Sequence, residues 1–256
     1  MSIEIIGICL VKNEDIYIER VLKNISNFCD KIRVIDNGSE DDTVEIVKKC
    51  MKVCPNISLE YISNVSKTQN TVEKYAGEDK WVFGVDGDEI YDPKGLSHLR
   101  LKILSGKYQR FWMLRGYFYH LVNLNEKTKI AEGHLAPPAK DPNKLYNFSL
   151  LKSWKSDNFQ AFTHCQTHIF KEGKYNSKKL PKMKFLHKSC GWDDCLLRCV
   201  HTRMLKRSSI ENFDTFINTR LNLSNVIDVD VREHNFRKKY RKGKKIEKDV
   251  SKFFKE

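Results

Sequence analysis

The first ninety residues alternate strand and helix patterns, and this alternation limits the fold more than any other feature of the 256-residue chain. Residues 3–11 predict a buried strand, and residues 14–27 predict a helix because apolar side chains recur there at helical spacing. Further strands are predicted at residues 31–36, 57–62 and 80–85, with helices between them. Parallel neighbours need crossover connections, so the pattern predicts an α/β fold with a mainly parallel sheet.

Ligands of such open sheets bind beyond the carboxyl ends of the strands. The segments that follow the four predicted strands are residues 12–14, 36–37, 63–66 and 86–88. Three of these four segments carry carboxylates. The sequence therefore predicts an acidic ligand site at this edge of the sheet.

Composition fits a folded protein that does not cross a membrane. Hydrophobic residues make up 40% of the chain. The longest strongly apolar run, residues 5–11, is far shorter than the roughly 20 residues of a bilayer span. The N-terminus has no basic region before an apolar stretch and no cleavage site, so we expect a cytoplasmic protein.

Eight cysteines are scattered along the chain without a CxxC pair, which predicts free thiols rather than disulfides. The tightest group joins Cys190, Cys195 and Cys199 with His201. Its spacing lacks the paired knuckles of structural zinc modules, so zinc is a weak alternative here.

The sharpest local feature is Asp86-Gly87-Asp88, directly after an apolar strand. In an extended segment the two carboxylates would point the same way, and hard oxygen donors of this kind suit Mg²⁺ or Mn²⁺. A calcium loop starting at Asp86 is ruled out, because its sixth and twelfth positions would be Tyr91 and Ser97. An acidic surface turn remains open as an alternative.

The turn after the first strand contains no glycine, which disfavours NAD and FAD. Phosphates must then be held elsewhere, and a metal at Asp88 is the available means. Asp36 ends the second strand, where its carboxylate could accept hydrogen bonds from a base or ribose. Alternatively, Asp36 only caps the turn at Gly38.

Four segments, taken in order, resemble the successive signatures of family 2 glycosyltransferases. They are residues 9–14 (CLVKNE), 34–43 (VIDNGSEDDT), 69–70 (QN) and 86–89 (DGDE). The resemblance covers about residues 3–93 and implies the GT-A fold, an αβα sandwich that binds nucleotides. It divides the chain into a nucleotide-sugar-binding half (1–93), an acceptor-binding and catalytic half of the same domain (94–225) and a basic C-terminal extension (226–256).

The resemblance also implies residue roles. The nucleotide sugar would contact Val11, Asn13, Glu14, Asp36, Lys67, Asn70, Asp86 and Gly87. The divalent cation, Mn²⁺ or Mg²⁺, would bind Asp88 and Asp86 and bridge the donor diphosphate, with Glu89 supporting the motif. Family members often add a late histidine ligand. We assign it to His187, at a strand end, and expect His201 to pack within a helix.

Members of the family usually invert the anomeric centre, which requires a base for the proton of the acceptor hydroxyl. In the family this base lies in the second half of the domain, well after the metal motif, where Asp193 and Asp194 stand. Both could equally be acids in the first turn of a helix spanning about 192–207. Glu132 is the reserve candidate.

The segment 232–256 is strongly basic and carries +7 of the formal net charge of +13. Ile246, Val250, Phe253 and Phe254 would share one face of a short amphipathic helix. Such a helix can lie on an anionic membrane, dock on its own domain or fray, and the sequence leaves these outcomes open.

Together these features predict a metal-dependent, inverting glycosyltransferase. It would move a sugar from a nucleoside diphosphate sugar, with a UDP-sugar favoured, to a hydroxyl of a glycan or another acceptor. A DxD-type phosphatase is one alternative, although its motif normally lies on the first strand. A basic nucleic-acid-binding protein is the other, although no RNA or DNA module is recognisable and no nucleic-acid partner is expected.

Overall fold

The computed structural model describes residues 3–62, 72–137, 145–155, 167–171, 181–205 and 245–255. The α-helices of these residues are α1 (Ile18–Ser26), α2 (Thr43–Val53) and α3 (Pro93–Leu104). The first strands are β1 (Glu4–Val11), β2 (Lys31–Asp36), β3 (Ile57–Tyr61), β4 (Lys80–Asp86), β5 (Glu89–Tyr91), β6 (Phe111–Arg115) and β7 (Tyr117–Leu124). The later strands are β8 (Ile130–Ala136), β9 (Leu145–Asn147), β10 (Leu151–Lys155), β11 (Thr167–Phe170), β12 (Lys182–Phe185), β13 (Arg198–His201) and β14 (Lys245–Asp249).

The central sheet has the strand order β12-β6-β9-β4-β1-β2-β3. Strands β4, β1, β2 and β3 are mutually parallel, and β9 runs antiparallel between β4 and β6. The mainly parallel α/β architecture predicted from the alternation is therefore confirmed. Strands β2 and β3 match their predicted bounds to within one residue.

Side chains of β1 alternate between two apolar layers, as expected for a central strand. Ile5 and Cys9 pack in the layer that contains the buried faces of α1, α2 and α3. Ile6 and Ile8 pack in a layer on the other face that includes Trp154. Burial of both faces explains why the strand is almost continuously apolar.

A second sheet has the order β14-β8-β7-β13-β5, and β10 pairs with β11 separately. The chain passes from the central sheet to the second sheet through Gly87 and Asp88, the two residues between β4 and β5. The acidic motif therefore lies at the junction of the two sheets.

The helix predicted over residues 192–207 is wrong. The structure has a turn at residues 192–194, followed by β13, whose four residues are all buried. Strand β13 lies between β5 and β7 and pairs with both. Pairing with two neighbours decides its conformation, because local helical spacing is a weaker constraint than sheet hydrogen bonds and burial.

The predicted amphipathic helix at the C-terminus is also wrong. Residues 245–249 form strand β14, antiparallel to β8, and Ser251–Phe253 form one 3₁₀ turn. The buried Val250 and Phe253 pack in the main core, and the amide of Asn24 donates to the Phe253 carbonyl at 2.8 Å. The segment docks on its own domain, which was one of the open outcomes. Residues 232–244 lie outside the described residues.

No helix in the described parts of the chain is long and apolar enough to cross a membrane.

A buried ion pair joins α3 to the second sheet. The Asp92 carboxylate accepts from the Lys94 backbone N–H at the start of α3 and lies 2.6 Å from the Arg198 guanidinium in β13. Only 2% of the Asp92 side chain and 10% of the Arg198 side chain are exposed. Without the Asp92 carboxylate, the buried Arg198 guanidinium would lose this ion-pair partner.

We expect Asp92→Ala to lower the free energy of unfolding by about 3–5 kcal/mol, since it removes one partner of a buried pair. Asp42→Ala is the matched control, because Asp42 precedes α2 with an exposed side chain that makes no capping hydrogen bond. We expect the control to change stability by less than about 0.5 kcal/mol in urea unfolding. Equal losses in the two variants would contradict the structural role of the pair.

Candidate functional site

Two aspartates flank the end of β1 at the carboxyl edge of the central sheet. The strand register pairs Val11 with Asp36 on one side and Leu10 with Asp86 on the other. Two strand spacings therefore separate the aspartates, about 10 Å. Adjacent residues of β1 face opposite ways, so the two carboxylates leave the strand ends on opposite faces of the sheet. A ligand that contacts both must lie across the edge.

The loops after β1 and β2 are joined by hydrogen bonds. The Asn13 backbone N–H donates to the Ser39 hydroxyl at 3.0 Å, and the Glu40 backbone N–H donates to Asn13 Oδ1 at 2.8 Å. The Glu14 N–H donates to the Thr43 hydroxyl at 2.7 Å. Asn13 adopts a positive φ of 54°, which asparagine tolerates better than most residues. These bonds fix Asn13 and Glu14 beside the turn that follows Asp36.

Asp36 is 2% exposed and organises that turn. Its Oδ2 accepts from the backbone N–H groups of Gly38 at 3.0 Å and Ser39 at 3.1 Å. The positive φ of Gly38, 75°, lets the chain reverse above the carboxylate. Asp36 therefore caps the turn at Gly38, as one of its two predicted roles required. The turn lies at the sheet edge where the other predicted role places a base or ribose.

Gly87 lies against the loop after β1. A Cβ atom placed on Gly87 would come within 2.7 Å of Glu14 Cγ and 3.3 Å of Val11 Cγ1. The structure thus brings Val11, Glu14 and Gly87 together, as three of the predicted nucleotide-sugar-binding residues. Glycine is the residue type that leaves room for this contact, because it has no Cβ.

The acidic motif is a turn and not an extended segment. Asp86 ends β4, and Glu89 Oε2 accepts from the Asp86 backbone N–H at 3.2 Å across the turn. Burial raises the pKa of Tyr91 well above its usual value, so its hydroxyl stays protonated and donates to the same Glu89 oxygen at 3.4 Å. The expectation that Asp86 and Asp88 point the same way along a strand therefore does not apply. Glu89 supports the turn, as the resemblance implied.

Asp88 is buried and held by the end of β13. The Thr202 backbone N–H donates to the Asp88 carbonyl at 2.9 Å. Asp88 Oδ2 lies 3.4 Å from Nε2 of His201, the last residue of β13. The two side chains are only 7% and 6% exposed. The histidine beside the second motif aspartate is thus His201, which the sequence assigned to packing within a helix.

His187 has different surroundings. It lies in the 3₁₀ turn after β12, and its Nδ1 is 2.9 Å from the Gly116 carbonyl oxygen. A carbonyl only accepts, so Nδ1 carries the proton. The imidazole centroid is 5.5 Å from that of Tyr117 and 5.6 Å from that of Phe185. The role of His187 as a metal ligand stays a prediction, and the histidine that the structure places beside Asp88 is His201.

A second histidine continues the row from Asp88. His120 in β7 is in register with His201, and their Nδ1 atoms lie 2.8 Å apart. His120 is 1% exposed. Nothing local in the sequence indicated this contact, since β7 and β13 are far apart along the chain and meet only through sheet pairing.

Asp88 and His201 offer an oxygen donor and a nitrogen donor in one buried place. Carboxylate and imidazole suit Mn²⁺, and their close approach fits a shared cation. Within the described residues, however, no three His, Cys, Asp or Glu side chains form a ligand cluster. The donor set fits a cation whose other ligands are phosphate oxygens and water, as is usual for Mg²⁺-type sites.

The weak zinc alternative finds no support. The Cys195 thiol donates to the Leu197 carbonyl, and the Cys199 thiol donates to the Val200 carbonyl, both within sulfur hydrogen-bond distance. Burial raises the pKa of Cys195 to about 12.

Asp193 makes an ion pair at the surface. Its Oδ1 is 2.9 Å from Lys252 Nζ, and 75% of the Asp193 side chain is exposed. The hydrogen bond from Lys252 holds the pKa of the Asp193 carboxyl below its usual value. Both features oppose a role as a base.

The residue before Asp193 packs against the second sheet. The preceding Trp192 packs edge-on against Tyr119, with ring centroids 5.7 Å apart. Tyr119 and His120 are consecutive in β7 and so face opposite sides of the second sheet. Trp192, which precedes Asp193, therefore packs on the face of the second sheet opposite to the Asp88–His201–His120 row.

The structure does not test the predicted roles of four other residues. Asp194 is exposed in the turn after Trp192. Glu132, the reserve base, lies 3.1 Å from Lys245 of β14. Lys67 and Asn70 lie outside the described residues.

A family model matches most of the chain. The model of glycosyl transferase family 2 matches residues 8–166, well over half of the chain. An uncharacterized glycosyltransferase of Rickettsia typhi is 33% identical over 81 residues, which are 31% of this chain and 26% of the relative. The chain thus spans about a quarter of that relative's length.

Two solved structures show partial likeness. Glucosyl-3-phosphoglycerate synthase of Mycobacterium tuberculosis is 20% identical, with a TM-score of 0.33 over 45% of this chain and 44% of that chain. A mannosyltransferase of Pyrobaculum calidifontis, in complex with GDP-Man and Mn²⁺, is 18% identical. Its TM-score is 0.34 over 48% of this chain and 36% of that chain.

The contact at Gly87 predicts a strong effect of one methyl group. We expect Gly87→Ala to lower the free energy of unfolding by about 1–3 kcal/mol, because Glu14 must move from a position fixed by its neighbours. Gly191→Ala is the matched control, since a Cβ at Gly191 meets no atom within 4 Å. Urea unfolding of both variants tests this, and a Gly87→Ala protein as stable as the control would contradict the close approach.

Proposed function

The chain belongs to glycosyl transferase family 2, and from this membership we propose that it transfers a sugar from a nucleoside diphosphate sugar to an acceptor hydroxyl, with a divalent cation held by Asp88 and His201. Its being a glycosyltransferase follows from the family. The single observation that carries the metal-dependent form is the 3.4 Å approach of His201 Nε2 to Asp88 Oδ2, both buried.

The donor would lie across the carboxyl edge of the central sheet. In this proposal the base and ribose contact the turn of Asp36 and the loop of Asn13 and Glu14, which hydrogen bonds hold together. The diphosphate would lie beside the turn of Gly87 and Asp88, next to the cation of this proposal. Asp86 would contact the ribose from the neighbouring strand end.

A Mn²⁺ or Mg²⁺ ion bound here would neutralise charge on the departing diphosphate. The protein's part is to hold the ligands. The Thr202 N–H fixes the Asp88 backbone, and β13 holds His201 in register with β5. The buried position of both side chains keeps water from competing for them and strengthens their interaction with a cation.

An inverting transfer requires a base for the acceptor proton, and we keep Asp194 as the proposed base. Asp193 is set aside because its exposed carboxylate pairs with Lys252. A UDP-sugar donor, a glycan acceptor and a cytoplasmic site of action are further parts of the proposal. A peripheral membrane contact through a C-terminal helix is withdrawn, since that segment forms β14.

The two alternative functions have less support. A DxD-type phosphatase would use the first aspartate as a nucleophile on the first strand of its domain, whereas Asp86 ends the fourth strand of a family 2 chain. A nucleic-acid-binding function rested on the basic tail, and residues 245–255 of that tail pack on the domain itself.

The proposal predicts unequal roles for the two histidines. We expect His201→Asn to weaken Mn²⁺ binding, measured by the EPR signal of free Mn²⁺, by about tenfold or more, because it removes one of two protein ligands. His187→Asn is the matched control and should bind Mn²⁺ like the wild type. If His187→Asn weakened Mn²⁺ binding and His201→Asn did not, the result would support His187 as the ligand predicted from the sequence.

Asp88→Asn should reduce sugar transfer by at least about 100-fold while the protein remains folded, since charge stabilisation by a metal contributes several kcal/mol. The measurement is release of nucleoside diphosphate from UDP-glucose, GDP-mannose and related donors with Mn²⁺. Full metal-stimulated activity of Asp88→Asn would contradict the proposed site.

Donor choice is tested by titrating UDP, GDP, dTDP and CDP with and without Mn²⁺, using isothermal calorimetry. We expect one nucleotide to bind preferentially and only when Mn²⁺ is present, with UDP as the prediction. If the four nucleotides bound with equal affinity, with or without Mn²⁺, the result would contradict a nucleotide-sugar site at the strand ends.

A further inference from the structure

His120 is a buried polar side chain to which the proposed function gives no task. It lies on β7, one strand beyond His201, and its Nδ1 atom is 2.8 Å from Nδ1 of His201. His201 in turn directs Nε2 toward Asp88 Oδ2. The three side chains form one continuous row, and all three residues are buried.

We infer that His120 is a positioning residue: it accepts the Nδ1 proton of His201 and so leaves the Nε2 lone pair of His201 for the cation shared with Asp88. This inference rests on the proposed function, because it presupposes a cation at Asp88 and His201. It adds to the proposed function a role for His120, which is not itself a ligand, and it places the ring proton of His201 on Nδ1.

The argument starts from proton positions. A neutral imidazole carries one ring proton, and a nitrogen that ligates a metal must be free of it. If Nε2 of His201 is the ligand, its proton must be on Nδ1. Metal-binding histidines almost always donate this second ring N–H to an acceptor, which fixes the ring and raises the basicity of the ligating nitrogen.

His120 is placed to be that acceptor. Two ring nitrogens at this hydrogen-bonding separation can share one proton, with one ring donating and the other accepting. With His201 as donor, His120 keeps its own proton on Nε2. Once Nε2 of His201 ligates the cation, Nδ1 is the ring nitrogen left to carry its proton, and Nδ1 of His120 lies at hydrogen-bonding distance as the acceptor.

The surroundings hold both rings in this arrangement. His201 and His120 are paired residues of the parallel strands β13 and β7, so their side chains leave the same face of the sheet. The centroid of the Phe118 ring lies 6.0 Å from those of both imidazoles. With so little exposure, bulk water has no ready access to take the place of His120.

A packing role is the competing explanation, and two substitutions separate it from the inference. Asparagine at position 120 can place Oδ1 near the present position of Nδ1 and accept the proton, although it fills less space. Leucine fills the space and accepts nothing. Hydrogen bonding therefore predicts that Asn preserves the site and Leu damages it, whereas packing predicts the opposite order.

The experiment is an EPR titration of the full chain with Mn²⁺, alone and with UDP or GDP. We expect His120→Leu to weaken Mn²⁺ binding by about 10- to 100-fold, the usual loss for a group that orients a metal ligand. His120→Asn should stay within about threefold of the wild type. His98→Leu is the matched control, because His98 is an exposed imidazole on α3, and it should not change binding.

The outcomes distinguish the two levels of the proposal. No Mn²⁺ uptake by the wild type overturns the proposed function, and this inference falls with it. Normal uptake by the wild type together with normal uptake by His120→Leu overturns the inference alone. Equal losses in the Leu and Asn variants, or a larger loss in Asn, assign His120 to packing.

The proton position gives a readout that does not depend on activity, and it decides the case if the Leu variant fails to fold. Long-range ¹H–¹⁵N spectra of ¹⁵N-histidine-labelled protein, with diamagnetic Zn²⁺ in place of Mn²⁺, report which ring nitrogen of His201 is protonated. Comparison with His201→Asn assigns the signals. We expect protonation on Nδ1 in the wild type and in His120→Asn, and a proton on Nε2 of His201 would overturn the inference.

Discussion

The pairing of β13 between β5 and β7 is the constraint on which the candidate site depends. It aligns His201 with Glu89 on one side and with His120 on the other, and the Thr202 N–H then closes onto the Asp88 carbonyl. Without this pairing the second motif aspartate would lose the histidine that the later half of the chain brings to it. The site is therefore a product of the second sheet as much as of the strand that carries the acidic motif.

The central sheet contributes the other side of the site through β1, which has Asp36 and Asp86 as neighbours at its end. The loop after β1 is tied by hydrogen bonds to the turn after β2 and packs against Gly87 after β4. Three turns from distant parts of the sequence are thus fixed with respect to one another by short contacts. Such prior fixing reduces the ordering that a bound donor would have to impose on the protein.

The sequence alone was sufficient for the strands of the first half, because burial on both faces makes β1 and β4 apolar runs and the turns carry Gly38 and Gly87. It was insufficient for β13 and β14. Their conformations depend on hydrogen bonds to strands far away in the chain, and their side chains also fit helical spacing. The same cause explains the choice of His187 over His201. A strand end is visible in sequence, whereas a contact across two paired strands that are distant along the chain is not.

The burial of Asp88 connects these observations. A carboxylate withdrawn from water carries a desolvation cost, and the His201 imidazole 3.4 Å away is one of the groups that offset it. In the proposed function a divalent cation would offset more of this cost, held by the Asp88 carboxylate and the His201 imidazole. A cation held by two protein ligands binds weakly until phosphate oxygens complete its coordination. The proposed function therefore implies that cation binding and donor binding are coupled: each would raise the affinity for the other, because the free energy of completing one coordination sphere is shared between them.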